Sequence, residues 1–538
     1  MSSMKEESFR FMVVGGGSAG CTLAYRLSNL TGARILLLEA GGAGRGLLTY
    51  VPVGNLWTVN NPRYDWRYDM EPDPSRDGVV QRCHAGRLLG GGSAINGMIH
   101  ARGAPADFDA WAAAGAKGWS YAEVLPYFRR AETRQGGDPA VRGLTGPMSI
   151  EDPRSVHPLT HRFVDAAREM GLPLAEDYNG GSSEGVALAQ LTQRRGSRQS
   201  TARAYRPLAR QGLRIRTGAF VTRLLLDGSR CTGAAYRWRG ETRMAHADSV
   251  VLCAGAIASP KLLMLSGIGD RTALEEHGIA PVRHLSGVGR RLAEHIGAGV
   301  GVHVTVPTYN APGGLWRRVA AGARWLATRR GPASTSLCQA VAFCRSDPAC
   351  ERPDLQLMFS PLALGEAARG AGRSRIAAHS RPGVGIYVDL GRPRQRGQVT
   401  LRSADPAAAP RIRYELLGDA HDVATLILGC RIARRLVAAP AFRDIVADER
   451  FPGASVCSDE DWRRALKSLV SVFHHPTGTC AIGTDDAAVV DPQLRVHGID
   501  NLRVADASVM PLPINGNTNA ATIMIAERAA DWLARDDH

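Results

Sequence analysis

A glycine cluster wedged between a short apolar strand and a helix constrains this chain more than any other feature. Phe11-Met12-Val13-Val14 reads as a buried parallel strand. Gly15-Gly16-Gly17-Ser18-Ala19-Gly20 follows at once, and Cys21 to Leu30 reads as a helix with Leu23, Ala24 and Leu27 on one face. Thr31-Gly32 ends the helix, Arg34-Ile35-Leu36-Leu37-Leu38 is a second strand, and Glu39 stands at its end. Each part suits a dinucleotide. Gly15 permits the tight turn, Gly17 lets the backbone approach a pyrophosphate, and Gly20 lets helix and strand pack closely. Ser18 and Ala19 open the helix, whose N-terminus faces the phosphates. Glu39, 19 residues past Gly20, is placed to bind ribose hydroxyls and to repel a 2′-phosphate, which disfavours NADP. The pattern alone leaves FAD and NAD both open, and an ordinary strand–helix turn shares its glycines.

The rest of the composition narrows the class. The 538 residues hold roughly two to four domain-sized cores. Apolar residues at 44% and charged residues at 22% exclude a disordered chain. No run of about 18 apolar residues appears, so no spanning helix is expected. The start, Met-Ser-Ser-Met-Lys-Glu-Glu-Ser, lacks the pattern of a secretory signal. A cytoplasmic protein, at most peripheral to the inner membrane, is the expectation. The net charge of +15 comes almost wholly from arginine, since only Lys5, Lys117, Lys261 and Lys467 are lysines. The arginines are scattered rather than blocked, so no nucleic-acid partner is expected. No two of the ten cysteines stand at CxxC spacing, which argues for reduced thiols and against a metal site.

Three further runs carry chemistry. Gly86-Arg87-Leu88-Leu89-Gly90-Gly91-Gly92-Ser93-Ala94-Ile95-Asn96-Gly97-Met98 offers a side-chain-free surface for a flat ring or a phosphate, with Ser93 and Asn96 as polar neighbours. Val250-Val251-Leu252 into Ala254-Gly255 reads as a strand and turn, with a helix over Pro260 to Leu265. Phe473-His474-His475-Pro476-Thr477-Gly478-Thr479-Cys480 places two histidines before a proline, in a loop or at a site. An imidazole can take a proton near neutral pH, and a neutral amide can donate to a developing alkoxide.

The first run resembles the first signature of the glucose–methanol–choline (GMC) family of flavoproteins. Gly255 to Gly269 resembles the second, and Phe473 to Ala530 is similar to the family's C-terminal part. The resemblance covers nearly the whole chain and is closest to choline-dehydrogenase-like FAD-dependent alcohol dehydrogenases and oxidases. It implies an α/β fold, with a Rossmann-like FAD-binding domain assembled from 1–150, 205–300 and 470–538. An antiparallel-sheet substrate domain is expected from 151–204 and 301–469. It places Gly90 to Asn96, including Gly91 and Ser93, with Gly97 beside them, along the pyrophosphate and flavin. Val221 falls at the adenine, and Asp506-Ala507 beside the ribityl and pyrophosphate groups. His475 falls at the family's base and Asn519, in Asn515-Gly516-Asn517-Thr518-Asn519, at its partner position. Ile95 replaces the histidine that carries FAD covalently in some members, so non-covalent FAD is implied.

The implied reaction is oxidation of a primary or activated alcohol to the aldehyde, with hydride passing to flavin N5 and oxygen or a quinone as the later acceptor. Two alternatives share the fold. Hydroxynitrile lyases keep FAD as structure. Photodecarboxylases need a pocket Cys, which Cys338 matches, and a carboxylate-binding Arg, where this chain has Met358. His474 is either a pocket-shaping neighbour of the base or a packing substitution. Departures from the family pattern are His100, where an aromatic is usual, and the run Gly287 to His295. Gly383 to Leu390 reads as a strand of the substrate domain, with Gly397 to Leu401 as its expected partner.

Overall fold

In the computed structural model, residues 7–181, 184–310, 315–363 and 379–536 are described; the first six residues of the N-terminal stretch read above lie outside them. The fold is mixed α/β, built on two seven-stranded sheets. The first is organised by the glycine cradle. Strand Glu7–Val14 pairs in parallel with Ile35–Glu39 on one side and with Glu241–Leu252 on the other. Leu213–Thr217 extends the parallel ladder at Ile35–Glu39, and Leu502–Val504 pairs in parallel with the end of Glu241–Leu252. The antiparallel strands Phe220–Asp227 and Arg230–Trp238 complete it. Ile35–Glu39 is buried along its whole length, as its unbroken Ile-Leu-Leu-Leu run requires of a strand covered on both faces.

Helix Ser18–Thr31 starts at Gly17 and stops at Gly32, which takes φ 65° and caps Ser28. It packs on the C-terminal helix Asn519–Arg535. A buried Glu527 joins the two: its carboxylate accepts from Arg26 Nε and Nη2, each at 2.8 Å, from Tyr205 Oη at 2.7 Å and from Arg130 Nε at 2.8 Å. The tail of the chain is thereby held to the helix that opens the cradle.

The second sheet is antiparallel, in the order Val446–Phe451, Ile296–Val304, Gly383–Leu390, Leu355–Ser360, Ala340–Cys344 and Gly185–Leu188, with Ser471–Val472 paired to Ile296–Val304. The expected partnership of Gly397–Leu401 with Gly383–Leu390 does not form. Both edges of Gly383–Leu390 are taken by Ile296–Val304 and Leu355–Ser360, and Gln398–Thr400 pairs instead with Arg411–Arg413. Each sheet carries its own apolar core. All ten cysteines are free, and seven are buried. No described helix is long and apolar enough to cross a membrane.

Candidate active site

A cavity of about 750 Å³ is lined by residues from both sheets. The cradle forms one part of its wall: Gly15, Gly17, Ser18, Ala19 and Glu39 all line it. A Cβ on Gly15 would meet the Cys253 carbonyl oxygen at 2.5 Å, and one on Gly20 would meet the Gly15 carbonyl oxygen. Those two glycines close the strand–helix packing, and Gly20 serves the cradle from behind the wall. Gly17 differs, because its nearest obstacles lie at 4.0 Å. Its backbone is left clear on the cavity side, as are Gly92, Gly97 and Gly255, which meet nothing within 4 Å and also line the wall. A Cβ on Gly91 would strike Gly17 Cα at 2.6 Å, so the two glycine loops touch and form one floor. Bare backbone on the open side and forbidden side chains behind it fit a bound pyrophosphate and flat ring.

Glu39 is buried. Its two carboxylate oxygens accept from Gly16 N at 2.8 Å and Gly41 N at 2.6 Å. Burial pushes its pKa up while the two amides pull it down, and the net direction is upward. Val221 and Ala507 line the cavity. Asp506 lines it too, and is held by Gly255 N at 2.8 Å, Ser259 Oγ at 2.6 Å and Ser508 N at 2.8 Å. Asn96 Oδ1 accepts from Met98 N and from the buried Arg198 Nη1 at 2.8 Å, which leaves its amide nitrogen for the cavity.

Ser93 departs from the expectation. It is fully buried, with Oγ donating to Gly90 O at 2.5 Å and lying 3.1 Å from Thr201 Oγ1. It is not among the residues of the cavity wall. The loop runs as a turn of 3-10 helix over Gly91–Ala94, which points this hydroxyl inward to brace the glycines.

At the other end of the wall stand His474 and His475. His474 takes φ 64°, a left-handed conformation that a side chain adopts only under local constraint. Its Nδ1 accepts from His84 N at 3.2 Å, and its ring lies 4.7 Å from the His84 ring, whose Nδ1 is 2.6 Å from Asp65 Oδ2. Burial and the neighbouring His84 lower the His474 pKa to about 3. His474 therefore touches both the cavity and a second imidazole.

His475 is positioned by three groups. Its backbone N–H donates to Glu294 Oε1 at 2.6 Å, its Nδ1 lies 3.0 Å from His295 Nδ1, and its Nε2 lies 3.1 Å from Asn517 Nδ2. Asn517 Oδ1 accepts from Gln356 Nε2 at 3.3 Å, which fixes the amide with nitrogen toward the imidazole. Burial, then the adjacent His295 and His474, hold the His475 pKa well below its ordinary value, which favours the uncharged ring. Asp389, fully buried and without a hydrogen bond to either carboxylate oxygen, lies 3.6 Å from His295 Nδ1 and 4.0 Å from His475 Nδ1. Donor atoms of His295, Asp389 and His475 all lie within 4.8 Å of one another.

The structure thus brings Asn517, not Asn519, to His475. Asn519 opens the C-terminal helix, with Thr518 as its N-cap. Its Oδ1 accepts from Ser18 Oγ at 2.7 Å, so it joins the C-terminal helix to the cradle. Both asparagines line the cavity, but Asn517, two residues earlier and still in the loop, is the one that reaches His475. His295 and Asp389 were not read as site residues either. His295 stood in the run Gly287 to His295 and Asp389 in the strand Gly383–Leu390, and nothing local joined them to the Phe473–Cys480 run. Cys338 and Met358 both line the cavity, with burial pushing the Cys338 thiol up to about 12. His100 is buried away from the wall, 3.0 Å from Glu132 Oε2.

The GMC oxidoreductase family matches this chain over residues 9–297 with its N-terminal part and 393–526 with its C-terminal part. The chain is 38% identical over 536 residues to an oxygen-dependent choline dehydrogenase of Vibrio vulnificus, covering 98% of this chain and 94% of that one. It is 41% identical over 538 residues to an uncharacterised GMC-type oxidoreductase of Mycobacterium tuberculosis, covering 97% and 98%. Among solved structures, it matches pyridoxine 4-oxidase from Mesorbium loti with a TM-score of 0.88 at 29% identity, covering 98% and 99% of the two chains. A formate oxidase variant of Aspergillus oryzae, solved to examine FAD modification, matches with a TM-score of 0.92 at 28% identity, covering 100% and 99%. With both family segments matched and relatives alike over almost their full length, the chain belongs to the GMC oxidoreductases, a family of FAD-dependent enzymes.

Proposed function

We propose that the protein oxidises a primary or activated alcohol to the aldehyde, with His475 as the base, Asn517 as the donor to the substrate oxygen, and non-covalent FAD in the glycine cradle. The observation that carries this reading is the His475 ring on the cavity wall, with Asn517 fixed against Nε2. With Nε2 accepting from Asn517, the proton of His475 sits on Nδ1 and is directed at the lone pair of His295 Nδ1. An alcohol oxygen entering between Asn517 and His475 accepts from the amide and donates its proton to Nε2. The charge that then forms on the imidazole is met by Asp389 about 4 Å behind it. When bound, FAD supplies the two-electron acceptor for the hydride that leaves the carbinol carbon.

The cradle residues have separate duties in this reading. Gly17 and Gly97 leave backbone clear for the cofactor, Glu39 receives ribose hydroxyls, and Val221 faces the adenine. Asp506 and Ala507 border the ribityl and pyrophosphate region. Ile95, a buried residue on the wall, offers no nucleophile for a covalent flavin link. We assign 1–150, 205–300 and 470–538 to cofactor binding and 151–204 and 301–469 to the roof over the substrate.

Titration of the purified holoprotein with primary alcohols under argon tests the function. Loss of the visible flavin absorbance supports it, and cleavage of a cyanohydrin without flavin reduction replaces it with a lyase. Recovery of absorbance on adding air, or only on adding a quinone, identifies the acceptor.

A further inference from the structure

We infer that the alcohol this site accepts is uncharged with an apolar body, and that a quaternary ammonium alcohol is selected against. This rests on the alcohol-oxidation reading above. The cavity wall that carries His475 also carries Met98, Ile99, Leu337, Met358, Tyr387 and Phe473. Met98, Ile99 and Met358 belong to one buried apolar cluster on which Tyr387 and Phe473 pack, so the wall is a continuous surface.

Carboxylates that could receive a cation are absent from that surface among the described residues. The wall carries two acids, Glu39 and Asp506. Glu39 is bound by Gly16 and Gly41 in the cradle. Asp506 is bound by Gly255, Ser259 and Ser508. Asp389 is fully buried behind the two histidines and forms no part of the wall. Other ionised side chains on the wall, Arg67, Arg82 and Lys261, are cationic. An ammonium head entering here gives up its hydration and meets no free carboxylate among the described residues, which is the costly way to bury an ion. The faces of Tyr387 and Phe473 can attract a cation, but two rings do not supply the opposite charge that an ion leaving water needs. An apolar body gains from the same wall by leaving water.

Choline and neohexyl alcohol isolate the charge. They share the hydroxyethyl arm and three methyl groups and differ only in a quaternary nitrogen against a quaternary carbon. The experiment compares kcat/KM for anaerobic flavin reduction by each, and the rise each produces in the thermal midpoint of the holoprotein, which reports binding without turnover. The expected result is a preference of about tenfold or more for neohexyl alcohol in kcat/KM, with the larger midpoint shift. Equal or better performance by choline in either measurement overturns the inference. If neither alcohol reduces the flavin but neohexyl alcohol alone raises the midpoint, the oxidation reading fails and the apolar pocket stands. If neither reduces the flavin nor raises the midpoint, both readings fall.

Discussion

The amide nitrogen of Asn517 lies 3.1 Å from Nε2 of His475, although 42 residues separate them in the chain. Asn519, two positions along, is instead bound to Ser18 at the start of the first helix. The two asparagines therefore predict different losses. Asn517→Ala removes the donor to the substrate oxygen and slows anaerobic flavin reduction by about a hundredfold. Asn519→Ala loosens the joint between the cradle and the C-terminal helix, costing about 1 kcal/mol of stability, while the rate per bound flavin stays near wild type. Stopped-flow reduction normalised to flavin content separates them; the reverse pattern places the partner at Asn519.

The neutral state of His475 sets the pH response. Its pKa in the folded protein is pushed below the ordinary value of 6.5 by burial and by its imidazole neighbours. The base form therefore persists as pH falls through 6.5. The profile of kcat/KM against pH should have its acid limb below about pH 6.5, with a plateau above it. An acid limb centred above that value contradicts the assigned environment.

Glu39 holds two backbone amides with one carboxylate. Glu39→Ala leaves both donors without their acceptor and removes the group proposed for the ribose hydroxyls. A rise in the FAD dissociation constant of at least about tenfold is expected, read by flavin fluorescence on reconstituting the apoprotein. Unchanged affinity would move the adenosine away from this strand end.

How much of this was legible in the sequence depends on how local the chemistry is. The cradle was readable because glycine spacing, helix start and terminal acid all fall within residues 11–39, and close packing forces Gly15 and Gly20 while Gly17 stays clear on the cavity side. The resemblance supplied His475 by its position before Pro476. Orientation was not readable. Ser93 and Asn519 sit in the right segments, but a 3-10 turn directs Ser93 inward and a helix start sets Asn519 against Ser18 rather than His475. Asp389 and His295 meet His475 only because Ile296–Val304 pairs with both Gly383–Leu390 and Ser471–Val472. That juxtaposition depends on long-range pairing, which no spacing rule reports.

The joint between head and tail of the chain is also testable. Glu527 accepts from Arg26, Arg130 and Tyr205 in a buried network. Glu527→Ala leaves Arg26 unpaired in a buried setting and should cost about 3 kcal/mol or more. Urea unfolding of the apoprotein reads this directly, and a loss below about 1 kcal/mol would mean that packing alone holds the two helices together.

The central claim is that His475 takes the alcohol proton. Anaerobic mixing of His475→Ala holoprotein with an alcohol that reduces the wild type tests it most directly, provided flavin content is matched. The account predicts reduction slower by about a hundredfold or more with the flavin still bound. Reduction at the wild-type rate would contradict it.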